Sequence, residues 1–176
     1  SAGRNDELTE VLARRSDLAD DPDERVDLLC RLGALRLGAG EDHQGALDAY
    51  AQALEVERSS EAATRGLEAV SAADPTLAIE AGRELEPAYV RRGAFDKLRD
   101  VLEQRLNASS DEQEKQDLRL RLADLSANEL GDPAAAYAAL ESAFLGSPED
   151  IDLWDRLQGA AGAADKHAEL AAAYSM

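Results

Sequence analysis

The chain has 176 residues, enough for one globular domain or a short array of helical hairpins. Its apolar fraction of 44% excludes wholesale disorder, and its apolar residues are mostly Ala and Leu, with few aromatics and few β-branched residues, as in an all-helical protein. A formal charge of −18 repels phosphate backbones and anionic membrane surfaces, so neither a nucleic acid nor a membrane is an expected partner.

In chain order, the apolar spacing and the capping residues predict ten helices, over about 5–19, 23–39, 43–57, 60–73, 75–92, 94–107, 111–129, 132–146, 149–162 and 164–175. Asp21-Pro22, Asp74-Pro75, Asp132-Pro133 and Ser147-Pro148 each read as a helix start, because Asp or Ser caps the open N–H groups and Pro needs no donor at the first position. Ser59 or Ser60, and Ser110 before Asp-Glu-Gln, read as two more starts. Leu28, Leu32 and Leu35 form one apolar stripe, and Leu118, Leu122 and Leu125 form another. The short connections predict antiparallel neighbours. Pro87 predicts a kink or break near Glu84–Glu86, since it lacks a donor and clashes with the preceding turn. Register is expected to be irregular over about 73–93.

The chain repeats itself. Leu8-Thr9-Glu10-Val11-Leu12 returns as Leu98-Arg99-Asp100-Val101-Leu102, an offset of 98 − 8 = 90 residues. The same offset carries Asp27-Leu28 onto Asp117-Leu118, Arg31-Leu32 onto Arg121-Leu122, and Ala46, Ala49 and Ala53 onto Ala136, Ala139 and Ala143. Gly93-Ala94-Phe95-Asp96-Lys97 also recurs as Gly162-Ala163-Ala164-Asp165-Lys166, an offset of 69, near twice the period of about 34 of helical-hairpin repeats. Such repetition points to a stacked array over 1–176, with internal copies at roughly 8–72 and 98–162, and to a binding surface more than to a reaction.

No residue set suggests catalysis. His43 and His167 stand near helix starts outside any metal-binding or catalytic motif, and read as surface histidines. Cys30 is the one cysteine, which rules out an intrachain disulfide; in its apolar run it reads as a small buried hydrophobe. The acidic run from Asp17 to Asp27 lacks the central Gly and spacing of a calcium loop. Trp154, beside Leu153 and Leu157, reads as a packing residue. No cofactor, metal or catalytic residue is expected. No apolar run of membrane-spanning length and no signal peptide is visible, so a cytoplasmic place is expected, with a lost targeting segment left open at Ser1-Ala2-Gly3. The preference for Arg over Lys and for Ala suggests a GC-rich bacterial genome.

Leu32-Gly33, then Ala46, Tyr50 and Ala53, and again Ala136, Leu140, Ala143 and Pro148, give the pattern of small and large residues at fixed steps that resembles the tetratricopeptide-repeat family. Leu85, Tyr89, Gly93, Leu98 and Leu102 form a weaker third match, and the first helices lack the usual large aromatic. The resemblance implies an all-α, right-handed superhelical solenoid of antiparallel hairpins that serves as a non-catalytic protein-interaction scaffold. It also implies a groove lined by the first helix of each pair. Mapped here, that groove offers Asp27, Cys30, Ala34 and Leu37 in one copy and Asp117, Leu120, Asp124 and Asn128 in the other, with Asp27, Leu37, Asp117, Asp124 and Asn128 as the candidate partner-binding residues. This acidic lining does not suit capture of a C-terminal carboxylate; a basic or amphipathic protein segment suits it better. The final helix carries Leu170 and Tyr174 on a mostly Ala face and resembles a cut array, so either a longer parent protein or self-association is expected at that end.

Overall fold

The computed structural model describes residues 2–39 and 41–174, without the side chains of residues 2–4, 173 and 174. Among the described residues there are ten α-helices and no strand: α1 Ala2–Leu18, α2 Pro22–Gly38, α3 His43–Val56, α4 Glu61–Ala73, α5 Ala78–Arg92, α6 Phe95–Ala108, α7 Glu112–Asn128, α8 Pro133–Gly146, α9 Ile151–Ala164 and α10 His167–Tyr174. Ser175, the expected end of the last helix, lies outside the described residues.

Side-chain caps explain where α2, α3, α4, α7, α8 and α9 start. Asp21, Asp42, Asp111, Asp132 and Asp150 each accept a hydrogen bond from a backbone N–H two or three residues on, and Ser60 does the same for Ala63. Two expected starts are corrected. Asp111, not Ser110, caps α7. Ser147-Pro148 forms a turn, and α9 begins at Ile151 behind Asp150, whose side chain reaches Leu153 N. The helix expected over 75–92 divides into a 3-10 turn, Pro75–Leu77, capped by Asp74, and α5. The break expected before Pro87 is absent: α5 runs unbroken through it. The proline ring faces outward at an exposed position, while Leu85, Ala88 and Tyr89 on the other side hold the helix to its core.

The chain comprises two compact units, Ser1–Ala94 and Phe95–Met176, each of five successive helices. The 90-residue offset maps one set onto the other. It places Pro22–Gly38 on Glu112–Asn128 and His43–Val56 on Pro133–Gly146, with no change in either boundary. Within each unit every helix packs on the next, which connections of a few residues permit only as antiparallel neighbours.

Each unit has its own core. In the first, Leu28, Leu29 and Leu32 of α2, Ala46, Tyr50 and Ala53 of α3 and Leu67 and Val70 of α4 are all buried, on helices that pack against one another. In the second, Ala123, Tyr137, Leu140, Ala143, Phe144, Leu153, Leu157 and Ala161 form one cluster. Small residues let the helices approach. Gly33 on α2 and Gly66 on α4 both face the Tyr50 ring, and at each a Cβ would collide with it. The second unit places Ala123, Arg156 and Leu140 at those three positions. A smaller buried side chain is thus matched by a larger residue at each glycine position.

Positive φ also recurs. Glu41 and Gly131, ninety residues apart, have φ of 49° and 62° where the chain turns into α3 and α8. Gly93 closes α5 in the left-handed region, with Ala94 N donating to Tyr89 O at 3.0 Å.

Candidate partner-binding surfaces

The five residues expected to bind a partner fall on α2 and α7. Asp27 is exposed and paired with Arg31 one turn on, at 2.9 Å. Leu37 is half-buried. Asp117 is exposed and accepts from the Gln113 side chain at 3.3 Å. Asp124 is exposed and bound by Arg156 of α9 at 2.6 Å, and Asn128 is the exposed last residue of α7. At about 100° per residue, Asp117, Asp124 and Asn128 share one stripe of α7, whereas Asp27 and Leu37 lie about 80° apart on α2. Asp124 is therefore partly committed to holding α9, and Asp117 is the freer carboxylate.

Arg and Lys residues of the second unit form a different surface. A groove of about 610 Å³ runs between α6, α7 and α8. Arg99, Lys115 and Arg119 line it against the single acid Glu103, over an apolar floor that includes Leu106 and Leu122. Lys115, Arg119, Leu122 and Ser126 project from the side of α7 opposite Asp117 and Asp124. Lys115 and Arg119 together hold the Glu112 carboxyl below its ordinary pKa, chiefly through the Lys115 hydrogen bond. Arg99 is shared between Asp96 at 3.5 Å and Asp100 at 3.7 Å, and Lys115 meets Glu112 at 2.7 Å. These ion pairs lie within one helix and their carboxylates are mostly exposed, so each is worth about 0–1 kcal/mol.

The first unit has the equivalent cleft, between α1 and α2, at about 300 Å³. Thr9, Ala13 and Arg36 stand there in place of Arg99, Glu103 and Ser126. Arg36 fills it: Nη1 donates to Gly45 O at 2.8 Å and Nε lies 3.7 Å from Asp42 Oδ2. Leu29, the counterpart of Arg119, is buried in the core. The sequence reading missed this contrast because it weighed acids for their abundance. Arg99, Lys115 and Arg119 are scattered on two helices, and only alignment of the copies sets them against Thr9, Arg25 and Leu29.

The remaining singled-out residues have structural settings. His43 Nδ1 lies 3.5 Å from Asp74 Oδ2, and His167 is exposed at the start of α10. Cys30 is half-buried, and burial pushes its thiol pKa up against an opposing hydrogen bond with Ser60. Trp154 stacks at a tilt on Phe144 with ring centroids 5.3 Å apart, a packing contact. Leu170 packs against the core of the second unit, while the Tyr174 side chain lies outside the described residues. Among the described residues no group of three His, Cys, Asp or Glu side chains could hold a metal ion, and no helix is long and apolar enough to cross a membrane.

Among solved structures, the chain is similar to a mutant of MamA, at 16% identity and a TM-score of 0.53, with 98% of this chain and 94% of that chain covered. The fold is tetratricopeptide-like. MamA MSR-1 C2 also aligns, at 19% identity and a TM-score of 0.49, over 98% of this chain and 93% of that one. No protein-family model and no curated protein sequence matches the chain.

Proposed function

We propose that this chain is a non-catalytic protein-interaction scaffold, bacterial and cytoplasmic, that binds a partner protein or peptide on the outer surfaces of its hairpins and takes no cofactor. The observation that carries this is the pair of equivalent clefts. The second and third helices of the two units keep the same Asp caps and helix boundaries, yet the clefts of the two units differ in size and charge. A duplicated frame with divergent surfaces suits a surface that selects partners. A basic segment is the partner that the exposed Asp27 and Asp117 would attract; nucleic acid and membranes are disfavoured by the charge of −18. Affinity capture from lysate of the source cell, followed by reconstitution with the purified protein recovered, tests the scaffold reading. One protein should be recovered near stoichiometry and should bind again from pure components. Recovery of the bait alone at both low and high salt contradicts it.

Self-association is a second reading, favoured by α1. Leu8 and Val11 are 47% and 52% exposed, whereas their counterparts Leu98 and Val101 are 5% and 8% exposed. The same apolar face is thus covered in one copy and open in the other, and a second chain could cover it. Sedimentation velocity decides this. A dimer or larger species in the wild type that Leu8→Glu with Val11→Glu converts to monomer supports the reading; a monomer at all concentrations contradicts it.

A further inference from the structure

The cation-lined groove of the second unit is a docking site that the acidic stripe on the other side of α7 does not account for. We propose that it takes an acidic amphipathic helical segment of a partner protein, an inference that rests on the scaffold reading above.

Three observations fix the chemistry of the occupant. The first is charge. In a chain of net −18, the groove presents Arg99, Lys115 and Arg119 against one lining acid, Glu103. Among the described residues Arg119 forms no ion pair or hydrogen bond, although it is only half-exposed and close enough to Glu112 to lower its pKa. A half-buried cation that feels Glu112 only through its field, with no direct hydrogen bond to a carboxylate, favours an incoming carboxylate.

The second is shape. The groove holds about 610 Å³, and Leu106 and Leu122 line it beside the alanines of α8. Cations along α6 and α7 with apolar surface beneath match a helix whose Leu or Ala stripe lies next to a Glu or Asp stripe. A free carboxyl terminus is not required, because the cations are spread along two helices.

The third is the internal control supplied by the first unit. There Leu29 replaces Arg119, Thr9 replaces Arg99, and Arg36, the counterpart of Ser126, occupies the cleft, held by Gly45 O and Asp42. Asp132 and Ala135 stand in the second unit where Asp42 and Gly45 stand in the first, so an arginine at position 126 has the same acceptors available. Ser126→Arg should therefore plug the groove while making it more positive. Arg119→Leu installs the first copy's residue and removes the cation that has no direct ion pair.

The probe is an acetylated, amidated, fluorescein-labelled 14-residue peptide with Leu and Glu at helical spacing. Binding to the full chain is read by anisotropy and located by amide shifts in ¹⁵N NMR. The control peptide has Lys at every Glu. We expect shifts on α6, α7 and α8 around Arg99, Lys115 and Arg119, and an affinity that falls at least ~10-fold between low and high salt. Both Arg119→Leu and Ser126→Arg should weaken binding at least ~10-fold while thermal unfolding shows the fold intact. Ser126→Arg binding as tightly as the wild type, or more tightly, overturns the proposal, because general positive charge rather than the groove would then be responsible. Equal binding of the Lys peptide overturns it as well. If the natural partner is captured equally by wild type and Ser126→Arg, the groove assignment fails while the scaffold survives. Peptide binding with no protein ever captured leaves the groove standing and the scaffold without its partner.

Discussion

Tyr50 gives the strongest single test of how the first unit is held together. Its ring is 5% exposed and lies between α2 and α4, against a glycine on each. A Cβ at Gly33 would sit 2.7 Å from Cζ and 2.8 Å from Cε2, and one at Gly66 would come still closer to Cε1 and Cζ. With both sides occupied, the ring has nowhere to retreat. Overpacking of this kind costs about 1–3 kcal/mol, whereas replacing a helical Gly by Ala returns up to about 1 kcal/mol of propensity. Gly33→Ala should therefore destabilise by about 0–2 kcal/mol and Gly66→Ala by about 1–3 kcal/mol. Tyr50→Leu alone should cost about 2–3 kcal/mol through the void left by the ring. The second unit already pairs Leu140 with Ala123, so Gly33→Ala with Tyr50→Leu should cost at least about 1 kcal/mol less than the sum of the singles. Urea denaturation followed by circular dichroism gives all the terms of the cycle. Additivity within about 0.3 kcal/mol would refute the argument that the glycines exist to admit the ring.

Other consequences follow from the internal copies. Arg15–Glu24 and Arg105–Glu114 are the same ion pair ninety residues apart, at 2.7 and 2.8 Å, but the side chains are 61% and 48% exposed in the first and 10% and 23% in the second. Arg15→Ala should cost under about 1 kcal/mol and Arg105→Ala about 2–4 kcal/mol, measured by urea denaturation; equal losses contradict the burial argument. Glu41 holds φ at 49° where the second copy has Gly131, so Glu41→Gly should stabilise by about 0.5–1 kcal/mol, seen as a higher melting temperature. Asp74 titrates below its ordinary value because Thr76 donates both its hydroxyl, at 2.6 Å, and its backbone N–H, with His43 adding to this. The sign follows from a depressed folded-state pKa: the group's contribution is present above its unfolded value near pH 3.8 and is lost as pH falls through the lower folded value. Thr76→Ala should move the Asp74 carboxyl resonance midpoint upward in an NMR titration, and no movement would show that the Thr76 hydroxyl is not the main cause.

Most of the fold was legible because its signals are local. Asp and Ser caps, Pro at first positions and the Leu–Ala stripes place the ten helices within a few residues of their observed ends. The 90-residue offset seen in the sequence is matched by the coincident boundaries of α2 with α7 and of α3 with α8. Failures came where tertiary packing overrides a local rule. At Pro87 the expected break is absent, and Leu85, Ala88 and Tyr89, buried beside it, anchor α5. Ser147-Pro148 looks like a start, but Asp150 is better placed to cap Leu153 N. The candidate surface was less legible. The resemblance implies that Asp117, Asp124 and Asn128 line a groove, yet nothing local shows that Arg156 engages Asp124. The groove depends on what is missing above Ser126, and a vacancy between helices has no sequence signature of its own.

Hydrogen exchange of the full chain, alone and with the captured and purified partner, tests the scaffold claim most directly. The account predicts that partner binding slows amide exchange in one contiguous patch on exposed helix faces, either around Arg99, Lys115 and Arg119 or along the Asp117 stripe, with substitution in that patch weakening the complex at least ~10-fold. Uniform slowing across both units, or a complex unaffected by substitution on either face, would contradict it.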